Sequence, residues 1–158
     1  MSRTLSQLDR TDLRILETLQ HNGRISNVHL AREINLSPTP CLERVKRLEA
    51  DGFISQYVAL LDPVKIEKKL CAYIEVSLTT TTTEAIAAFD QQMCAMPEVQ
   101  ECQMVAGGFD YLIKIRVRDM QDYQRFLGEK LATIPGIAQT HTYVVINETK
   151  SITTIPIA

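Results

Sequence analysis

The 158-residue sequence has no CxxC pair, no histidine cluster and no apolar run approaching the ~20 residues that a membrane span needs. Its cysteines, Cys41, Cys71, Cys94 and Cys102, stand apart. That spacing argues against a zinc site and for small apolar residues in a reducing compartment. His21, His29 and His141 are isolated, so neither a ligand set nor a catalytic base is indicated. No nucleophile–base pair and no glycine-rich phosphate loop accompanies them. We therefore read no active site, no metal and no cofactor. The amino terminus lacks the apolar centre of a signal peptide, and the expectation is a soluble cytoplasmic protein.

The net charge of −2 is unevenly spread. Residues 1–61 carry eight Lys/Arg against seven Asp/Glu, and residues 62–158 carry nine against twelve. Within 24–47, Arg24, Arg32, Arg44, Lys46 and Arg47 face only Glu33 and Glu43. A local basic face on a mildly acidic chain suits nucleic-acid contact by one module.

That stretch also has the punctuation of short helices. Asp9 followed by Asp12 forms an Asp variant of the capping box, with Leu8 and Leu13 as a staple. Leu13, Ile15, Leu16 and Leu19 supply a buried stripe, and Asn22-Gly23 ends the helix in a pair that tolerates the left-handed conformation. Ser26 caps a second helix with Val28, Leu30, Ala31 and Ile34 as apolar positions, and Asn35-Leu36 turns tightly. Ser37 caps a third helix with Pro38 at its first position and Pro40 still inside the first turn. Cys41, Leu42, Val45 and Leu48 form its core face, and Gly52 closes it. Three helices, the last two joined by a short turn, make a helix-turn-helix.

Phe53–Leu61 alternates as a strand or extended linker, and Asp62-Pro63 marks a boundary. Beyond it, Cys71–Thr80 reads as a strand, and a capping box from Thr81 to Glu84 opens a helix through Met96. Val99–Ala106 and Tyr111–Val117 read as a hairpin turning through Gly107-Gly108. Met120–Ile134 is a second amphipathic helix, and Ile137–Glu148 a last strand. The order βαββαβ is that of a ferredoxin-like sandwich. Domains are expected at 1–52, with a 53–69 hinge, and at 70–158.

NGRISNVHLAREINLSPTPCLERVKRLEADGFI (22–54) resembles the helix-turn-helix of the Lrp/AsnC family of transcription regulators. MVAGGFDYLIKIRVRDM (104–120) and TYVVINETK (142–150) resemble its effector domain, nearest the leucine-responsive branch, although Gly108 stands where an acidic residue is common there. The resemblance implies an α+β chain: an N-terminal winged-type helix-turn-helix plus a C-terminal ferredoxin-like sandwich. It implies a nucleoid-associated, cytoplasmic regulator of amino-acid metabolism. It also implies homodimers assembling into tetramers or octamers, and a free amino acid bound between dimers: leucine, alternatively methionine, alanine or another.

The expected DNA-contacting residues are Ser26, Asn27, Ser37, Thr39, Pro40, Glu43, Arg44, Lys46 and Arg47. A helix in the major groove reads bases mainly from its N-terminal half. Arg44 suits guanine and Glu43 cytosine, while Lys46 and Arg47 suit phosphates. Alternatively the same charges are a solvated face with Glu43–Arg47 as an i,i+4 pair. From the resemblance, the effector residues are Met104, Ala106, Gly107, Gly108, Phe109, Asp110, Tyr111, Met120, Thr140, Thr142 and Tyr143. Asp110 would pair with the ligand's ammonium and the glycines would admit its carboxylate to backbone N–H groups. The plain alternative is a hairpin in which two glycines turn and Asp110 stabilises them. An enzymatic or small-molecule-binding ferredoxin-like domain with an interaction module, and a stand-alone amino-acid sensor, are the competing functional classes.

Overall fold

The computed structural model describes residues 4–157; positions 1–3 and 158 of the expected domains lie outside the described residues. The chain separates into two compact units. One takes the chain up to Leu60 together with the segment from Lys150 onward, and the other is Leu61–Thr149.

The first unit packs α1 (Arg10–His21), α2 (Asn27–Glu33) and α3 (Pro38–Ala50). Asp9 caps α1, accepting from the N–H groups of Thr11 and Asp12, and Asp12 answers back to the Asp9 N–H. Ser26 accepts from the His29 N–H. Ile15, Leu16, Leu30, Ala31, Ile34, Cys41 and Leu48 form the core, each large aliphatic side chain contributing about 1.5–3 kcal/mol by its burial. The turn between α2 and α3 uses Asn35 at φ 58°, and Gly52 follows α3 at φ 79°; both values favour residues with little or no Cβ penalty.

Several sequence expectations are corrected here. Asn22 ends α1 at φ −145°, so the left-handed residue is Asn35 and not the Asn22-Gly23 pair. Ser37 makes no side-chain cap bond; Pro40, at the third helical position, lacks the N–H that such a cap would serve. Val28 and Leu42, assigned to the core by periodicity, are exposed. Of the two readings of Phe53–Leu61, the strand is not formed and the linker remains. The segment from Lys150 onward, read as the end of the 70–158 domain, groups with the helices. There the Gln20 side-chain amide donates to the Ile155 carbonyl and accepts from its N–H, and Ile157 packs on the helical core.

The second unit is a four-stranded antiparallel sheet of β1 (Leu70–Leu78), β2 (Val99–Met104), β3 (Tyr111–Val117) and β4 (Ile137–Val144) in the order β2-β3-β1-β4. The ferredoxin-like expectation is met by this order together with α4 (Thr83–Ala95) and α5 (Met120–Arg125). Ile74 lies between Ile113 and Thr142 in register. Alternate residues Ala72, Ile74 and Val76 of β1 and Tyr111, Ile113, Ile115 and Val117 of β3 face the buried side, under Phe89 and Met93 of α4 and Phe126 and Leu131 beyond α5.

Thr82, not Thr81, caps α4, and it accepts from the Ala85 N–H. The Met120–Ile134 helix is not uniform: α5 widens into a π turn at Phe126–Lys130 and tightens to a 3-10 turn at Leu131–Thr133. The wider i→i+5 winding lets Phe126 and Leu131, five apart, both point inward. Residues 105–110 do not form a two-residue turn on Gly107-Gly108. Neither glycine has positive φ, as such a turn requires. The connection is instead a six-residue loop closed by the Val105 N–H donating to the Asp110 carbonyl at 2.9 Å. Among the described residues no helix is long and apolar enough to cross a membrane.

Candidate nucleic-acid interface and ligand site

The interface is built on α3. Asp12 is 2% exposed, and a carboxylate so placed needs compensating partners. It receives the Arg44 guanidinium at 2.7 Å and the Arg47 Nη2 at 2.8 Å on both its oxygens. Arg44 also reaches Asp9 at 2.6 Å. The Asp9 carboxyl is held below the usual carboxylate range, first by the backbone N–H of Asp12 and then by Arg44. The Arg44 guanidinium is raised in turn, by Asp9 and then Asp12.

The structure therefore spends the two arginines expected to meet DNA on latching α3 to the start of α1. Arg47 pairs with Asp12 across helices and not with Glu43. Sequence reasoning saw Asp12 only as a cap. The signal that marks it otherwise is a carboxylate one residue before the apolar stripe of α1, where burial is expected and a cation must follow.

Thr39, Leu42, Glu43 and Lys46 lie at i, i+3, i+4 and i+7 on α3 and are all exposed, opposite the buried Cys41 and Leu48. Ser37 is exposed and Pro40 half-buried at the start of the same helix. Ser26 is occupied as the α2 cap. Asn27 is occupied too, its Nδ2 donating to the Pro38 carbonyl at 2.7 Å. Arg24, Arg32 and Lys46 are exposed and make no ion pair among the described residues. The free cations are thus not the ones a contact list read from α3 alone would choose. In the first turn of α3 only Thr39 carries a free backbone N–H, since Pro38 and Pro40 have none, so this helix terminus offers little to a phosphate.

The second site gathers less completely within one chain. Ala106, Gly107 and Gly108 are exposed and Phe109 half-buried. A Cβ built on either glycine meets nothing within 4 Å. Asp110 accepts from the Leu78 N–H at 2.7 Å and its own N–H donates to the Val76 carbonyl, so it pins the loop to β1. Tyr111 is not in the loop's open space. It is 2% exposed, its ring centroid lies 4.5 Å from that of Phe89, and its hydroxyl donates to Asp90 at 2.8 Å. Burial and Asp90 push its phenol upward.

Thr140 and Thr142 lie on the helix side of β4, where Tyr123 donates to the Thr142 hydroxyl at 2.8 Å. Tyr143, paired with Tyr73, lies on the open face. Met104 and Tyr143 are each 55% exposed. Met120 starts α5 beyond the Val117 end of β3, the end of the sheet away from the loop.

Known proteins match both units. Residues 8–55 match the "Winged helix-turn-helix DNA-binding" family and residues 71–155 the "Lrp/AsnC ligand binding domain" family. The leucine-responsive regulatory proteins of Klebsiella pneumoniae and Escherichia coli are each 48% identical over 143 residues, covering 90% of this chain and 87% of theirs. A transcriptional regulator of Neisseria meningitidis, solved in complex with L-methionine, superposes with a TM-score of 0.91 at 37% identity, covering 95% of this chain and 97% of that one. An AsnC-family regulator of Agrobacterium tumefaciens superposes with a TM-score of 0.90 at 32% identity, covering 94% and 97%. With a helix-turn-helix in one unit and a loop-bearing sandwich in the other, the chain belongs to the Lrp/AsnC family of DNA-binding transcription regulators with an amino-acid-binding domain.

Proposed function

We propose that the chain is a cytoplasmic homo-oligomer that grips double-stranded DNA through paired α3 helices and changes its grip when a free amino acid occupies the 105–110 loop at a junction between dimers. Leucine is the favoured effector, after the leucine-responsive relatives. Methionine, bound in the Neisseria structure, is the alternative, then alanine or another amino acid.

The observation that carries this reading is the Gly107-Gly108 pair. Neither glycine has positive φ and neither is crowded, so nothing in the chain's own fold demands glycine there. That open backbone suits a ligand carboxylate drawn close to bare N–H groups. Asp110 spends one oxygen on Leu78, leaving the other to accept an ammonium. Met104, at the loop end of edge strand β2, offers exposed apolar surface for a branched side chain, and Tyr143, on the opposite edge strand β4, joins it only from another copy. Met120, at the other end of the sheet, joins the wall only from another copy. The helix-free face of the sheet, with Tyr73, Glu75, Leu112 and Lys114 half-buried, is the surface through which two chains pair.

Calorimetric titration with leucine, methionine and alanine tests the reading. Asp110→Asn keeps the acceptor for Leu78 but loses the charge, and should weaken the effector by roughly tenfold or more, the worth of a hydrogen bond to a charged group. Gly108→Ala should weaken it while leaving the melting temperature unchanged. Full affinity in both variants would overturn the assignment of this loop.

A further inference from the structure

The face that α3 turns to solvent is not uniformly polar. Leu42 sits on it between Thr39 and Lys46, 42% exposed, and Val28 of α2 is 54% exposed. Asn27, the residue before Val28, is bonded to Pro38, so the start of α2 is held against the start of α3, the helix that carries Leu42. Burial of both was open to the fold, yet Leu30, Ala31, Ile34, Cys41 and Leu48 fill the core without them.

Arg24 before α2, Arg32 on α2 and Lys46 on α3 are exposed and without ion pairs among the described residues. A partner for such a surface is anionic at its rim and apolar at its centre. The major groove of duplex DNA is both: phosphates border it, and the C5-methyl of thymine is the apolar feature on its floor.

We infer that Leu42, with Val28 beside it, reads thymine methyl groups, and that Arg44 and Arg47 act as positioning residues that aim this face through Asp12. The inference rests on the DNA-binding function and deepens it, since it names which base feature is read and by what.

The test uses the full chain and a duplex enriched from a random-sequence library. Thymines in that duplex are then replaced by deoxyuridine, which removes the methyl and leaves the hydrogen-bonding edge intact. The wild-type chain should bind the deoxyuridine duplex roughly fourfold more weakly for each contacted methyl, the ratio expected for one buried CH2-sized group. Leu42→Ala should bind the two duplexes equally, Leu42→Met should restore the discrimination, and Val28→Ala should narrow it. Lys46→Ala, by contrast, should reduce the slope of affinity against salt by about one for both duplexes.

Leu42 is half in solvent, so its variants should melt with the wild type. Equal affinity of the wild type for both duplexes, or discrimination undiminished in Leu42→Ala, overturns the inference while leaving DNA binding intact. If Leu42→Ala instead disperses an oligomer in sedimentation and the duplexes stay equal, the patch belongs to a second copy of the chain. Failure of the wild type to retain any duplex would remove the DNA-binding reading itself.

Discussion

Among the described residues the sheet unit buries no charged side chain, whereas the helical unit places the Asp12 carboxylate at 2% exposure beside Ile15 and Leu16. A four-stranded ladder sets its own register, because a one-residue slip would turn every inward side chain outward. Apolar packing is then enough to complete it. Three helices of seven to thirteen residues have no such ladder, and apolar contact alone leaves the rotation of one helix against another loosely specified. A guanidinium–carboxylate latch has direction. In this chain it decides which side of α3 faces outward, and so which residues are available to DNA. The two arginines whose type and position advertise DNA contact, Arg44 to a base and Arg47 to phosphate, are both bound to Asp12.

The contrast breaks most easily on the sheet side. Ile113, fully buried in β3, should cost about 2–5 kcal/mol when replaced by alanine, the range for such truncations in a packed core. Urea unfolding of the full chain should report it. Asp12→Ala is the counterpart on the helical side. Both arginines keep partial access to water, so the cost should be lower, about 2–3 kcal/mol. It should also weaken DNA binding beyond what the lost stability explains, because α3 is no longer aimed.

The smallest effect is that of pH. Asp9 is held below its ordinary value of 3.8 by the Asp12 N–H and Arg44, and Glu148 below 4.5 by Arg116. Carboxylates depressed in the folded state contribute stability above their unfolded values and lose it as pH falls through the folded ones. The urea midpoint should therefore hold steady above pH 4.5 and decline below it, with Asp9→Asn removing its share. Asp9 is half exposed, so that share should be under about 1 kcal/mol. A midpoint unmoved by acid would mean that the latch carries no charge-dependent stability.

Much of this was legible in the sequence where information is local. The Asp9–Asp12 box, the Ser26 cap, Pro38 at the first position of α3 and the exact span of β3 follow from neighbours along the chain. The strand expected at Cys71–Thr80 is β1 within two residues at either end, for the same reason. Leu42 and Val28 were misplaced because a helix of this size presents more apolar positions than its neighbours can cover, and spacing does not say which ones lose. Tyr111 was misplaced because adjacency to Asp110 says nothing about the pleat that turns the two to opposite sides. Gly107-Gly108 reads as a turn dipeptide, but turn type depends on φ, and here glycine's freedom is not used for the turn.

By itself, then, the sequence determined most elements, their order, the family and the helix-turn-helix, since caps, periods and motifs act over a few residues. Only the tertiary structure decided which charges are free. Arg44 and Arg47 lie 32 and 35 positions from Asp12, and no local pattern reports that a buried carboxylate will claim them. With those two bound to Asp12, the exposed face of α3 is that of Thr39, Leu42, Glu43 and Lys46, a face set by how α3 is turned against α1.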